Sequence, residues 1–288
     1  MKFEWGKKTY LMGIINITPD SFSGDGVLKS DEATPHRNWI KVAVEQGKKQ
    51  QAEGADILDA GGESTRPGGT PLSLEEERAR VIPVIEKLAR EVTIPISIDT
   101  YKAEVARQAI DAGASIINDV WGGTMDANIL NVAAETNAPI VLMHNRSKQK
   151  NAQQQSRLGG RYVGTEYEDL LMDIKRELQE SIDAALAAGV PKEKIIIDPG
   201  IGFGKTVEQN LELVNRLGEL KALGYPILVG PSRKSFVGYT LDLPPQERLE
   251  GTAAAVALCI EKGADIVRVH DVAAMHRVAA LTDAIVRR

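Results

Sequence analysis

One pattern runs through the chain and limits what it can fold into: a short β-branched run, a turn, an amphipathic helical segment, and then the same again. The apolar runs are Tyr10 to Ile17, Asp56 to Asp59, Pro95 to Ile98, Ser115 to Asn118, Pro139 to Met143, Lys194 to Asp198, Pro226 to Val229 and Asp265 to Val269, eight in all. Between them apolar residues recur at helical spacing, most clearly Leu170, Ile174, Leu178 and Ile182, and then Leu211, Val214 and Leu217. Strands alternating with helices build parallel βαβ units. The units resemble one another: Glu53-Gly54-Ala55-Asp56-Ile57, Ala112-Gly113-Ala114-Ser115-Ile116 and Lys262-Gly263-Ala264-Asp265-Ile266 all place a helix-ending glycine just before a strand.

Eight such units can close into a (β/α)8 barrel or lie open as a doubly wound sheet. The polar residues favour closure. Asn16, Asp59, Asp99, Asn118, His144, Asp198, Lys234 and Arg268 each fall at or just past the C-terminal end of a different strand. A barrel gathers those ends around one mouth, whereas an open sheet spreads them over about 35 Å at ~4.8 Å per strand. With no Pro/Ser-rich linker, residues 1–288 read as one TIM-barrel domain, the first ten being an N-terminal extension with room for a short hairpin. The longest polar stretch, Asn145 to Glu168, reads as a mobile loop after the fifth strand.

Composition narrows the function. With 43% hydrophobic and 26% charged residues, the profile excludes a disordered chain. No apolar run reaches the ~18 residues needed to cross a bilayer, and the start lacks a secretory apolar core, so a cytoplasmic location is expected. The single cysteine, Cys259, permits no internal disulfide and reads as a buried, inert thiol. A net charge of −5 argues against a broad nucleic-acid or membrane surface, so an anionic ligand must meet a local basic cluster. The segment Gly251 to Ile260 is apolar nearly all round, more than one barrel face can cover, which predicts a homodimer.

The strand ends carry the chemistry. Asp99, Asp119 and Asp198 end apolar strands; singly each can be a helix cap, but together with Asn118 they suit a flat heterocycle whose edge carries adjacent N–H donors. Arg268 and His270 lie two apart in a strand and point the same way, so with Arg66 of the second loop they can clamp a di-anion, unless they pair with carboxylates such as Asp271. Gly200-Ile201-Gly202-Phe203-Gly204-Lys205-Thr206 looks like a nucleotide loop but fails both glycine templates, having Pro199 and Lys205 where each requires glycine. A tight turn presenting Phe203 is the better reading. His36 and His276 have no convergent partners. No spacing suggests a protein-built metal cage or a Ser–His or Cys–His pair, so a divalent ion would be held mainly by substrate phosphates.

Four stretches together resemble the dihydropteroate synthases: Asn16-Ile17-Thr18-Pro19-Asp20-Ser21-Phe22, Gly61-Gly62-Glu63-Ser64-Thr65-Arg66-Pro67-Gly68, Ile196-Ile197-Asp198-Pro199-Gly200-Ile201-Gly202-Phe203-Gly204-Lys205 and Ser232-Arg233-Lys234-Ser235-Phe236. The resemblance runs from about Leu11 to the C-terminus. It implies Mg2+-dependent condensation of 6-hydroxymethyl-7,8-dihydropterin diphosphate with p-aminobenzoate, giving dihydropteroate and pyrophosphate, in an enzyme family targeted by sulfonamides. By the same resemblance the pterin would meet Asp99, Asn118, Met143, Asp198 and Lys234. The diphosphate would meet Asn16, Arg66, Arg268 and His270, with Asn16 also a Mg2+ ligand. The aminobenzoate would meet Thr65, Pro67, Phe203, Lys234 and Ser235, and Asp25, Lys234 and Arg268 would be catalytic. In the first loop the carboxylate is displaced by one residue, Ser21-Phe22-Ser23-Gly24-Asp25-Gly26 where the family commonly reads Ser-Phe-Ser-Asp-Gly-Gly. The competing readings are a barrel that hands a methyl group from methyltetrahydrofolate to a corrinoid protein, and a pterin binder without turnover.

Overall fold

The computed structural model describes residues 3–18, 38–65, 69 and 71–287. Its strands are β1 (Tyr10–Asn16), β2 (Ile57–Gly61), β3 (Ile96–Asp99), β4 (Ile116–Asp119), β5 (Ile140–Met143), β6 (Ala152–Gln155), β7 (Gly159–Tyr162), β8 (Ile195–Asp198), β9 (Leu228–Val229) and β10 (Ile266–Val269). All but β6 and β7 form an eight-stranded parallel sheet in the order β8-β5-β4-β3-β2-β1-β10-β9. A parallel bridge between Ile197 and Ile227 joins its two edges, so the sheet closes into a barrel. The weak seam has a local cause: Pro226 has no N–H to donate and contributes only its carbonyl, which accepts from Ile197 N at 2.9 Å. The helices around the barrel are α1 (Asn38–Ala52), α2 (Leu74–Glu91), α3 (Ala103–Asp111), α4 (Asn128–Thr136), α5 (Leu170–Ala187), α6 (Val207–Arg216), α7 (Ser235–Leu241), α8 (Leu249–Glu261) and α9 (Val272–Val286). No helix among the described residues is long and apolar enough to cross a membrane.

The repeated helix-to-strand junctions have a common geometry, with φ of 102° at Gly54, 114° at Gly113 and 100° at Gly263, where a side chain would be strained. Inside the barrel the two-residue period of a strand separates bottom from mouth. Ile57 and Asp59 on β2, Ile116 and Asn118 on β4, Ile196 and Asp198 on β8, and Ile266 and Arg268 on β10 are each two apart. The first of each pair is buried in the interior apolar cluster, which Phe3 and Trp5 cap from below. Their rings stack at 4.7 Å, and both meet Tyr10 edge-on. Residues 3–9 therefore plug the barrel floor through a turn, not a hairpin.

Two expectations need correction. Leu211 is 43% exposed, while Leu213 takes the buried place on α6; Leu217 lies beyond the helix in a 3-10 segment. The stretch after β5 is not a featureless mobile loop, because within it β6 pairs antiparallel with β7. This hairpin is fastened to the α7–α8 corner, where Arg248 Nη2 donates to Leu158 O at 2.8 Å and Tyr239 Oη donates to Gly159 O at 3.2 Å.

Candidate active site

The cleft at the C-terminal mouth is walled by Asn16, Thr65, Asp99, Phe203, Lys234, Ser235, Arg268 and His270, together with Glu63, Ser232, Arg248 and the hairpin's Leu158, Gly159 and Gly160. Asn118, Met143 and Asp198 are buried at neighbouring strand ends. Register places Asn118 beside Asp99 and Met143 beside Asp198. Asp25, Arg66 and Pro67 lie outside the described residues.

The floor is one charge network. Arg268 Nε donates to Asp59 Oδ2 at 2.6 Å and its Nη2 to Asp99 Oδ2 at 2.7 Å. Asn118 Nδ2 donates to the same Asp59 oxygen at 3.1 Å, which fixes which end of the amide is the donor. Burial pushes the Asp99 carboxyl up to about 7 against the pull of Arg268, with Asp59 adding to the rise. Burial likewise raises Asp198 to about 6, although Gly200 N donates to its Oδ1 at 2.7 Å. Asp119 does not join them. Its two oxygens accept from Trp121 N at 2.8 Å and Gly123 N at 2.6 Å, so it caps the turn after β4 instead of facing the mouth.

The basic wall is assembled from β9, β10 and α7. His270 Nδ1 lies 3.0 Å from Ser232 Oγ, which also accepts from His270 N. Asp271 pairs with Arg233, at 2.6 Å from Nη2, and not with Arg268. Lys234 Nζ donates to Ile201 O at 2.8 Å and stands 4.0 Å over the Phe203 ring.

Several contributors carry no assigned role in the sequence reading. Asp59 is legible there only as one more polar strand end. Glu63 Oε2 accepts from Leu72 N at 3.1 Å and Lys102 Nζ at 2.6 Å, tying together both sides of the second loop, next to Thr65. Buried Arg248, just before α8, clasps Arg233 O at 2.9 Å, with no local motif to announce it.

Comparison with known proteins agrees with this geometry. A family model described as pterin binding enzyme matches residues 12–270. A dihydropteroate synthase of Clostridium beijerinckii is 51% identical over 288 residues, covering 100% of this chain and 98% of the relative. One from Bacillus subtilis is 50% identical, covering 99% of this chain and 91% of the relative. Among solved structures, a Clostridium difficile dihydropteroate synthase crystallised in the presence of pteroic acid superposes with a TM-score of 0.87 at 48% identity, covering 100% of both chains. A Xanthomonas albilineans dihydropteroate synthase in complex with 7,8-dihydropteroate gives 0.81 at 37% identity, covering 97% of this chain and 94% of that one.

Proposed function

Because this chain belongs to the pterin-binding enzyme family and matches dihydropteroate synthases along its full length, we propose how its site performs their reaction: joining 6-hydroxymethyl-7,8-dihydropterin diphosphate to p-aminobenzoate, with release of pyrophosphate. The observation that carries the reading is the Asp59–Arg268–Asp99 network, which places a cation for a diphosphate against carboxylates for a pterin edge on one floor. Ionised Asp99 and Asp198, with the Asn118 carbonyl, accept N–H bonds from the ring. Arg268 and His270, with Arg66, hold the diphosphate. As the C–O bond to the exocyclic methylene breaks, the electron pair leaves with pyrophosphate and the ring delocalises the positive charge left behind. The aromatic amine then forms the C–N bond and gives up a proton, so no protein nucleophile is needed. Asp25 would offset that developing positive charge, Thr65, Pro67, Phe203 and Ser235 would flank the amine substrate, Lys234 would stand between the two substrates, and Met143 would pack on the pterin.

Mg2+ is part of the reading. Among the described residues no three His, Cys, Asp or Glu side chains group to hold a metal, while Asn16 brings one neutral oxygen to the cleft. That donor set fits an ion carried largely by substrate phosphates. When bound there it would neutralise charge on the departing pyrophosphate.

The reading extends to a cytoplasmic homodimer. An apolar groove on the outer wall is lined by Leu211, Val214, Phe236, Val237, Leu241 and Leu258, and Leu258 is 52% exposed. A second copy is the occupant that its predominantly apolar lining, with Lys262 as the one charged side chain there among the described residues, suits.

Titrating the two substrates separately and together, with pyrophosphate release as the readout, tests the reaction. Release is expected only when pterin diphosphate and p-aminobenzoate are both present with Mg2+. No release from the pair, or methyl transfer from methyltetrahydrofolate in its place, would overturn it.

A further inference from the structure

The glycine-rich loop after β8 ends in Lys205, a residue with no part in holding either substrate. Its side chain does not face the cleft. It folds back beneath its own loop and is only 2% exposed. Its Nζ lies 3.0 Å from each of three acceptors, Gly200 O, Phe203 O and His144 Nδ1. An ammonium has three N–H donors and matches them all, whereas a neutral amine has two and would set its lone pair against the third acceptor. His144 can accept at Nδ1 because its Nε2 lies 3.0 Å from Glu177 Oε2 and donates there. Arg146 holds the same carboxylate through Nε at 3.0 Å. The line from α5 to the loop is thus carboxylate, neutral imidazole and the Lys205 amino group, whose hold on its proton burial weakens to about 7 while its three acceptors favour the ammonium.

The backbone confirms how closely the loop is drawn in. A Cβ at Gly200, where φ is 71°, would lie 1.9 Å from His144 O, and one at Gly204, where φ is 59°, would lie 2.3 Å from the Arg146 carbonyl carbon. Only glycine lets these segments touch. Between the two carbonyls that Lys205 grips lies Ile201, whose own carbonyl receives Lys234 Nζ, and the second grip is on Phe203, whose ring underlies that same ammonium.

We propose that Lys205 is a positioning residue: by holding the Gly200 and Phe203 carbonyls against His144, it sets the Ile201 carbonyl and Phe203 ring that place Lys234 between the two substrates. The role of Lys234 in both subsites rests on the reading above; the placement of Lys234 by Lys205 does not.

Lys205→Met keeps the length of the side chain and removes its donors. A crystal structure of that variant should show Ile201 O and the Phe203 ring displaced from Lys234. Retention of the Lys234–Ile201 contact there overturns the proposal whatever the reaction is. Kinetically, Lys205→Met should lower kcat/KM for p-aminobenzoate about tenfold in the wild-type background and leave it nearly unchanged in a Lys234→Met background, because residues acting through one another are non-additive. Equal losses in both backgrounds would mean that Lys205 is a structural pillar only. Should Lys205→Met fail to fold, His144→Leu removes one acceptor of the three and is expected to show the same non-additivity at smaller amplitude, with additivity again overturning the proposal. A wild type without pyrophosphate release would sink the reaction, while the structural comparison still decides the positioning.

Discussion

Asp59 and Arg268 lie 209 residues apart in the chain and meet at 2.6 Å at the base of the mouth cleft. The Asp59 oxygen that receives Arg268 also receives Asn118, so a residue expected at the diphosphate and one expected at the pterin edge share a single buried acceptor. Asp59→Asn preserves the size and removes the charge. The expected result is weaker binding of pyrophosphate by ~1.5–3 kcal/mol, as the charge-assisted bond that orients Arg268 is weakened and Asp99 is left as its one ionic partner among the described residues. The mutual enhancement between pyrophosphate and 6-hydroxymethylpterin, measured by calorimetric titration of each with and without the other, should also shrink. Wild-type enhancement in the variant would remove Asp59 from the coupling.

Leu258→Glu places a charge in the apolar groove beside Leu241 and Leu211, at a residue that does not line the mouth cleft. Burying that carboxylate against a second copy is strongly unfavourable, so the variant should be monomeric at micromolar concentration by light scattering while the wild type is a dimer. A monomeric wild type would refute the assembly itself.

The eight strands and their ends were legible because a parallel strand buried on both faces writes a continuous apolar run, and the residue that terminates it faces the mouth. Asn16, Asp99, Asn118, Asp198 and Arg268 could be found that way. The hairpin of β6 and β7 could not: Ala152-Gln153-Gln154-Gln155 has no apolar alternation, and its support comes from Arg248, 90 residues after Leu158. Asp119 shows the opposite error, a strand-end carboxylate whose oxygens are taken by the next turn's own N–H groups. Lys205 was hidden by its setting, since in the sequence it stands out only as the residue found where a dinucleotide loop requires glycine, and nothing in the chain shows that it points inward.

Burial, with Lys205 nearby, lowers His144 to about 4 from its ordinary 6.5. The unfolded chain takes up the proton near 6.5 and the folded protein resists it, so this contribution to stability is present above that pH and lost as the pH falls toward 4. The urea midpoint of the wild type should therefore drop more between about pH 7 and 4.5 than that of His144→Asn, which has no proton to take up. Parallel pH dependences would show that charging His144 does not oppose folding.

Asp99 and Asp198 predict the opposite trend for binding and for stability. Burial raises them to about 7 and about 6, each well above the usual 3.8. A protonated carboxyl cannot accept two parallel N–H bonds, so pterin affinity should be highest above about pH 7 and fall as pH drops through both values, by up to tenfold per unit for each group. For folding, a carboxyl that holds its proton more tightly in the folded protein destabilises it at neutral pH, and that cost is relieved as pH falls from about 6 toward 3.8. Asp198→Asn keeps an oxygen for Gly200 N and removes the buried charge. It should unfold at a higher temperature than wild type at about pH 7.5, bind pterin much more weakly, and lose one proton's worth of the pH dependence of binding. Since a merely structural carboxylate would lower stability when replaced, a variant that is less stable at neutral pH and retains the full pH dependence would show that Asp198 supports the barrel and does not read the ring.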